Sequence, residues 1–184
     1  SAHGTIDVLV NNAGVIQPAM ITKMTDAQWN TVVDVNMKGP FLCMQAVGRV
    51  FIEKAKANPE ARSNGKIVNI SSGAGARGSI GQINYAAAKA GVLGMTMTAA
   101  REWGRFRVNV NAVGFGIVET EMTKTIRTDP KFSEQYLEQI ALGRFGTTED
   151  VVPAIAFFAS SGADYITGQF LIVDGDTGAI IDPG

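Results

Sequence analysis

The stretch KIVNISSGAGARGSIGQINYAAAKAGVLGMTMTAAREW, residues 66–103, decides the fold. Residues 66–71 contain three branched aliphatic side chains and predict a strand. Residues 72–81 are rich in Gly, Ala and Ser and predict a flexible loop. Residues from Gln82 to about Trp103 are small and apolar on most faces and predict a long helix. The stretch is therefore expected to form a strand, a loop and a helix in that order.

The same alternation continues on both sides of this stretch. The other predicted strands are Ile6–Val10, Val108–Val113 and Gln169–Val173, and the other predicted helices cover residues 25–36, 41–56, 132–142 and 147–160. Strands that alternate with helices of this length indicate a parallel sheet. The expected fold is α/β, a single domain with an open, doubly wound parallel sheet of four strands.

Local signals refine three of these helices. Thr25 and Gln28 have the spacing of a capping box, and Thr147 is the expected N-cap of a later helix. Gly39-Pro40 should interrupt or bend the first helical region, because proline lacks the amide that a helix interior needs. Pro153 predicts a bend or a late start in the helix after Thr147.

Composition excludes several classes of function. The chain has 16 basic and 17 acidic residues among 184, so it offers no electrostatic footprint for nucleic acid or an anionic membrane. No apolar run reaches the roughly 18–20 residues of a membrane span. Cys43 is the one cysteine and lies in a helical pattern, so it is expected to be buried, and a reducing, cytoplasmic compartment fits. His3 is the one histidine, no metal-ligand spacing occurs, and no metal site is expected.

One group of polar residues has the pattern of an active site. Tyr85 and Lys89 are four residues apart on a predicted helix, so their side chains share a face. Ser72 lies at the carboxyl end of the preceding strand, where open parallel sheets bind their ligands. Asn36 lies at the interruption in the earlier helix, where a freed backbone carbonyl could hold a water molecule.

These residue types suit the reduction of a carbonyl by hydride. The developing alkoxide needs a proton, and a phenol with an ordinary pKa of about 10 is a poor acid near neutrality. A nearby ammonium group favours the phenolate and lowers that pKa, while a second hydroxyl can hold the carbonyl oxygen. A lone Tyr-x-x-x-Lys pair is common on exposed helices. The interpretation therefore rests on Tyr85 and Lys89 in combination with Ser72 and Asn36.

The combined motifs resemble the short-chain dehydrogenase/reductase family, in order and at family spacing over essentially the whole chain. The matching segments are Asn-Asn-Ala-Gly at 11–14, Asn36-x-x-Gly39, Ile70-Ser71-Ser72, Tyr85-Ala-Ala-Ala-Lys89, Val110–Val113, Gly116–Thr120, Gly168 and Asp174-Gly175. The resemblance implies a Rossmann-type fold and an oxidoreductase that uses NADP or NAD. It favours NADP slightly without deciding between them.

The resemblance also implies a role for each matching residue. Tyr85 would be the general acid/base, Lys89 would lower its pKa and bind the nicotinamide ribose, Ser72 would orient the substrate carbonyl, and Asn36 would support a proton-relay water. The implied cofactor-binding residues are Asn11, Ala13, Gly14, Tyr85, Lys89, Gly116, Val118 and Thr120. The segment from about Thr123 to Leu142 would be the substrate lid.

The family's N-terminal βαβαβ half, with its Gly-rich phosphate loop, would precede Ser1. The chain is therefore expected to be a partial domain that holds the family's C-terminal four strands. Its first strand should be an exposed apolar edge, and the isolated chain should bind NAD(P) weakly or not at all. The run Gly73–Gly78 matches G-x-G-x-x-G, but it does not lead directly into a helix and lacks the acidic residue of a dinucleotide fingerprint about 20 residues later.

Within the family, the sequence most resembles the 3-oxoacyl-acyl-carrier-protein reductase branch. The expected substrate is thus a small-molecule or acyl-thioester carbonyl, without nucleic acid or membrane as partner. A hydroxysteroid or 3-hydroxyacyl-CoA dehydrogenase is the alternative. A different class is a truncated relative that acts only in assembly or binding. The resemblance implies a homo-oligomer, a dimer or tetramer, through helices at about 26–57 and 82–104.

Overall fold

A parallel sheet of four strands forms the centre of the protein. The computed structural model describes residues 4–177. The strands are Val8–Asn11 (β1), Gly65–Ser72 (β2), Val108–Phe115 (β3) and Phe170–Val173 (β4). They pair in the order β1-β2-β3-β4, and every pair is parallel. The predicted α/β fold with a parallel sheet is confirmed.

Helices connect these strands as the sequence alternation predicted. The α-helices are Asp26–Val33 (α1), Gly39–Ala57 (α2), Gly73–Arg77 (α3), Ile83–Trp103 (α4), Lys124–Thr128 (α5), Pro130–Gln139 (α6) and Thr148–Ala159 (α7). A π-helical turn, Asp34–Lys38, joins α1 to α2. Short 3-10 turns lie at Ile21–Lys23, Gly104–Phe106, Glu121–Thr123 and Ser161–Ala163.

Two apolar layers cover the sheet, one on each face. Successive side chains of a strand point to opposite faces. Ile67 of β2 accordingly packs with Phe51 of α2 and Ala99 of α4, whereas the next residue, Val68, packs with Phe158 of α7. The sheet is therefore covered by α2 and α4 on one face and by α7 on the other, which confirms the doubly wound arrangement.

The strand β1 lies at one edge of the sheet formed by residues 4–177. Val8 pairs with Lys66 and Val10 with Val68, so both valines point to the face that α7 covers elsewhere. The helix α7 packs on β2, β3 and β4, and it leaves Val8 and Val10 39% and 40% exposed. The predicted exposed apolar edge is thus confirmed in the described part of the chain.

The loop predicted over residues 72–81 is wrong over Gly73–Arg77, which forms the helix α3. The hydroxyl of Ser72 caps this helix by accepting a hydrogen bond from the amide of Ala74, at 3.2 Å. Gly78 ends it with a φ of 80°, a conformation that side chains other than glycine rarely adopt. Gly73 and Gly75 therefore belong to a packed helix, and the predicted loop is confirmed only from Gly78 onward, where no regular element precedes α4.

Cys43 is exposed, so the prediction that it is buried is wrong. The buried stripe of α2 consists of Pro40, Met44, Gly48, Phe51 and Ala55. Cys43 precedes Met44 and therefore lies beside that stripe, where it faces outward together with Phe41 and Leu42. Residues 40–44, which surround Cys43, are all apolar and so gave no sign of which face is buried.

The local helix signals are mostly confirmed. Both Thr25 and Thr147 form capping boxes, and the π-helical turn lies directly before Gly39. Pro153 lies inside α7, which begins at Thr148 without the late start that was one expectation. The helix α6 begins before Phe132 because Asp129 caps it, accepting from the amide of Lys131 at 3.0 Å.

Two negative findings concern the described residues. No helix among residues 4–177 is long and apolar enough to cross a membrane. In the same range no group of His, Cys, Asp and Glu has the arrangement of a metal site. His3 lies outside the described residues.

Candidate active site

Three polar side chains meet where β2 ends and α4 begins. Ser72 is the last residue of β2, Tyr85 lies in the first turn of α4, and Lys89 lies in the next turn. The Ser72 side chain lies close enough to the phenol of Tyr85 to lower the pKa of that phenol. The Nζ atom of Lys89 lies 5.7 Å from the centroid of the Tyr85 ring. The hydroxyl, the phenol and the ammonium that the sequence pattern brought together are therefore neighbours.

Backbone contacts hold α4 across the end of β2. The hydroxyl of Ser71 donates to the carbonyl of Lys89 at 2.9 Å, and the ammonium of Lys89 donates to the carbonyl of Ile70 at 2.8 Å. The short helix α3 packs against the same turn of α4. A Cβ atom added at Gly75 would lie 2.7 Å from the carbonyl carbon of Lys89, so only glycine permits this approach.

Asn36 lies in the π-helical turn and is fully buried. Its side chain accepts from the amide of Val15 and donates to the carbonyl of Val15, both at 2.8 Å. A Cβ atom added at Gly14 would lie 3.4 Å from Oδ1 of Asn36 and 3.8 Å from Nζ of Lys89. Asn36 thus holds the segment after β1 next to Lys89. Its support of a relay water stays a prediction.

Burial sets the protonation of both titratable groups. Burial lowers the pKa of Lys89 to about 8, and it raises the pKa of Tyr85 above its ordinary value, while the Ser72 side chain opposes that rise. The pKa of Tyr85 is therefore raised overall. The sequence had predicted the opposite, a pKa lowered by Lys89. The reason for the rise is that desolvation of the phenol by burial is the largest effect on its pKa, while the ammonium of Lys89 donates to the Ile70 carbonyl. At neutral pH the phenol is therefore a protonated donor.

A cavity of about 880 Å³ lies over the carboxyl ends of the strands, a size typical of ligand sites. The predicted residues that line it are Ala13, Gly14, Ser72, Tyr85, Lys89, Gly116, Val118 and Thr120. Two predicted residues do not line it. Asn36 lies behind Gly14, and Asn11 directs its side chain into the fold, where it donates to Oδ1 of Asn69 at 2.8 Å. Asn12 forms the cavity wall at this strand end instead.

The apolar wall of this cavity was not predicted from the sequence. The added wall residues include Ile16 before α1, Met122 and Ile126 around α5, and Val152 and Ile155 of α7. Ile126 lies in the predicted lid segment, but nothing in the sequence indicated that α7 faces the cavity. The burial of Asn84, next to Tyr85, was not predicted from the sequence either. The one available signal was a polar asparagine side chain within an otherwise apolar helical stretch.

The residues present fit one end of a nicotinamide dinucleotide. Gly14 and Gly116 line the cavity with backbone alone, and the hydroxyl of Tyr85 and the ammonium of Lys89 can hydrogen-bond a ribose. Among the described residues that line the cavity, Lys89 is the one cation.

Comparison with known proteins decides the family. A sequence profile described as enoyl-(acyl carrier protein) reductase matches residues 1–176. The 3-oxoacyl-[acyl-carrier-protein] reductase of Staphylococcus epidermidis is 43% identical over 175 residues, which are 95% of this chain and 68% of that protein. The enzyme of the same name from Thermotoga maritima is 44% identical over 94% of this chain and 66% of its own length.

The chain belongs to the short-chain dehydrogenase/reductase family. It is thus an NAD(P)-dependent oxidoreductase, and its sequence is most similar to those of 3-oxoacyl-acyl-carrier-protein reductases. This short-chain dehydrogenase/reductase spans about two thirds of the length of the relatives it matches.

Solved structures of short-chain dehydrogenase/reductases agree with the described fold. One is a putative 2-deoxy-D-gluconate 3-dehydrogenase from Agrobacterium tumefaciens with bound NADP, with a TM-score of 0.86 and 41% identity over 92% of this chain and 66% of that one. Another is a gluconate 5-dehydrogenase from Burkholderia cenocepacia in complex with NADP and tartrate, with a TM-score of 0.87 and 32% identity over 94% and 64%. The Rossmann-type fold expected from the resemblance is confirmed.

Proposed function

We propose that the protein reduces the keto group of a 3-oxoacyl thioester with NADPH, and that Ser72, Tyr85 and Lys89 carry the reaction. The observation that supports this most is the meeting of Ser72, Tyr85 and Lys89 at one wall of the cavity, with the Lys89 ammonium 5.7 Å from the centroid of the phenol ring. Asn36 supports the site from behind Gly14.

The proposed step moves one hydride and one proton. A nicotinamide cofactor held by Tyr85 and Lys89 would supply a hydride to the carbonyl carbon, and the carbonyl oxygen would then need a proton. The hydroxyl of Tyr85 donates that proton, and the hydroxyl of Ser72 hydrogen-bonds the same oxygen and fixes its distance from the phenol. The ammonium of Lys89 stabilises the phenolate that remains, and a proton from solvent restores Tyr85.

The cavity wall favours an acyl chain over a sugar acid. Ile16, Met122, Ile126 and Val152 offer apolar surface beside Tyr85. A sugar acid carries a carboxylate, and Lys89, which the reaction itself uses, is the one cation among the described residues of the wall. A sugar acid is nevertheless the second candidate, because the two solved relatives named above are gluconate-type dehydrogenases. A hydroxysteroid or a 3-hydroxyacyl-CoA also suits the apolar wall.

The cofactor proposed is NADP. Both of those solved relatives hold NADP, and the proposed roles at this end of the cavity are shared by NAD and NADP. Ala13 and Gly14 would lie beside the cofactor, as would Gly116, Val118 and Thr120. Asn11 would act through the backbone that follows it, since its side chain is bonded to Asn69.

We also propose a cytoplasmic homo-oligomer, without nucleic acid or membrane as partner. The helices α2 and α4 expose large apolar side chains, among them Phe41 and Leu42 at 46% and 51% and Met97 at 52%. A second copy of this chain would cover such surface. The same helices support the alternative that the protein serves only in assembly or binding.

A substrate panel tests the proposal on the full gene product. NADPH oxidation is followed with acetoacetyl-CoA, a 3-ketosteroid and the 5-keto form of gluconate. We expect kcat/KM for the thioester to exceed the others by about tenfold or more, the discrimination that one to two kcal/mol of apolar contact provides. A preference for the keto-gluconate would contradict the substrate proposal. No turnover of any ketone by a folded oligomer would favour the assembly alternative.

A further inference from the structure

We propose that Asn84 is a positioning residue that fixes the first turn of α4 and with it the phenol of Tyr85. This inference rests on the proposed function, because it assumes that Tyr85 is the proton donor. Asn84 touches neither the cavity nor a reacting atom in the described structure. Its effect on the reaction would pass through the backbone of Tyr85.

The beginning of α4 lacks the usual cap. The first amides of a helix have no partner within the helix, and the side chain of the N-cap residue commonly accepts from one of them. The N-cap residue here is Gln82, whose side chain makes no such bond. The Oδ1 atom of Asn84 accepts from the amide of Tyr85 instead, at 2.8 Å. Asn84 thus binds the backbone of the residue it is proposed to position.

The other end of the Asn84 side chain joins two further segments. Its Nδ2 atom donates to the carbonyl of Gln17 and to the carbonyl of Gln28, both at 3.1 Å. Gln17 directly follows Ile16 of the cavity wall, and Gln28 belongs to α1. A backbone hydrogen bond from the amide of Ala19 to the carbonyl of Gly81, at 2.8 Å, also ties the segment of Gln17 to the residues just before α4. Asn84 therefore fixes Tyr85 relative to the wall that faces it.

Asparagine suits this position for chemical reasons. A primary amide provides one acceptor and two donors, and all three are used here. Asn84 is fully buried, so water cannot replace a lost bond. Aspartate has the same shape but no donor, and it would turn a carboxylate toward two carbonyl oxygens. Serine leaves part of the space empty and cannot reach all three partners.

The test compares Asn84→Asp and Asn84→Ser with Asn111→Asp in the full gene product. Asn111 is a matched control because its buried amide also donates to one carbonyl, of Ile166 at 2.9 Å, and accepts from one amide, of Gln169 at 3.0 Å, away from the cavity. Four quantities are measured: kcat and KM for thioester reduction, the pH dependence of kcat, and the high-pH titration of tyrosinate absorbance. The titration step absent from Tyr85→Phe belongs to Tyr85.

We expect both Asn84 variants to lose ten- to a hundredfold in kcat, with KM changed less than threefold, since a misplacement of about 1 Å has an effect of that size. The Tyr85 titration should fall toward the ordinary value of about 10, because a loosened phenol is less buried. The kcat of Asn84→Asp relative to wild type should recover as pH falls, since protonation restores one donor. Asn111→Asp should keep the wild-type kcat and Tyr85 titration.

Each contrary result has a distinct meaning. If Tyr85→Phe keeps the wild-type kcat, the proposed function fails and Asn84 has nothing to position. If Tyr85→Phe is inactive while Asn84→Ser keeps the wild-type kcat and titration, only the positioning proposal fails. The proposal also fails if neither Asn84 variant folds under conditions in which Asn111→Asp folds, because Asn84 would then serve the fold rather than the phenol.

Discussion

Lys89 is a buried cation that the fold alone does not favour. It is 3% exposed, its Nζ atom donates to the Ile70 carbonyl, and burial lowers its pKa to about 8. Proteins often retain such a group because function requires it, at the expense of stability. Lys66 is a useful contrast, because it is also buried but pairs with Asp164 at 2.8 Å.

Lys89→Met is expected to stabilise the protein while it abolishes turnover. A pKa lowered from 10.5 to about 8 corresponds to at most about 3 kcal/mol at pH 7, from which the lost hydrogen bond removes about 1 kcal/mol. Between pH 8 and 10 the unfolded chain holds this proton and the folded chain does not, so wild-type stability rises with pH. The advantage of Lys89→Met should therefore shrink over that window in urea unfolding.

Lys66→Met is the control for that measurement. It leaves Asp164 without its closest cation, so it should lower the free energy of unfolding by about 3 kcal/mol. Equal destabilisation by Lys66→Met and Lys89→Met would show that Lys89 carries no unfavourable burial and would contradict the pKa argument.

The chemistry of single residues could be predicted from the sequence, but their surroundings could not. The spacing of Tyr85 and Lys89 fixes a shared helix face, and Ser72 ends a strand, so their meeting follows from local geometry. The direction in which the pKa of Tyr85 shifts depends on how deeply the fold buries the phenol, which the local sequence does not show. Asn84 is similar, because its partners at Gln17 and Gln28 lie more than 50 residues earlier.

At the scale of elements, the contact of α3 with α4 places the active-site turn. Gly75 lets the two helices approach so closely that an added Cβ atom would lie 2.7 Å from the carbonyl carbon of Lys89 and 2.9 Å from the amide nitrogen of Ala90. These are backbone atoms of α4, and they cannot move aside without moving the helix. Any side chain at Gly75 must therefore shift the helix that carries Tyr85.

Gly75→Ala should lower the free energy of unfolding by about 1–3 kcal/mol, as overpacking does, and should lower kcat as well. Gly94→Ala is the control within α4, since an added Cβ atom at Gly94 meets nothing within 4 Å. It should stabilise by about 0.4–1 kcal/mol, because alanine restricts the unfolded chain. Urea unfolding and the thioester assay measure both variants. A neutral Gly75→Ala would show that α3 does not constrain α4.

Helices and strands were predictable where the hydrophobic pattern is long. They were not predictable where a few residues determine whether a short helix forms or which face of a helix is buried. β2 and α4 follow from runs of eight and 21 residues. The five-residue α3 was missed because its two glycines suggest a loop, whereas the cap from Ser72 and packing on α4 stabilise it. The face of α2 that holds Cys43 depends on which stripe meets the sheet, and the apolar run at residues 40–44 does not indicate that stripe.

At the scale of the whole molecule, the described residues line a cavity that would hold one end of a dinucleotide. The cavity wall holds a single cation among residues 4–177, Lys89, and it lies beside Tyr85. A dinucleotide also carries a charged pyrophosphate, for which phosphate sites elsewhere use helix N-termini, Gly-rich loops or basic side chains. The Gly73–Gly78 run, which matches such a loop in sequence, forms α3 instead.

The 184-residue chain alone should therefore bind NADPH weakly, with a dissociation constant of about 1 mM or higher, near 4 kcal/mol of binding free energy. Calorimetric titration of this chain, with the full gene product as comparison, measures it. Tight one-to-one binding by the 184-residue chain would contradict this account of the cavity.

The direct test of the central claim is the rate of thioester reduction by Tyr85→Phe in the full gene product. Tyr165→Phe is the matched control, because Tyr165 is fully exposed and away from the cavity. We predict that Tyr85→Phe loses about 100- to 10,000-fold in kcat, as removal of a general acid does, and that Tyr165→Phe keeps the wild-type rate. A Tyr85→Phe rate equal to that of wild type would contradict the account.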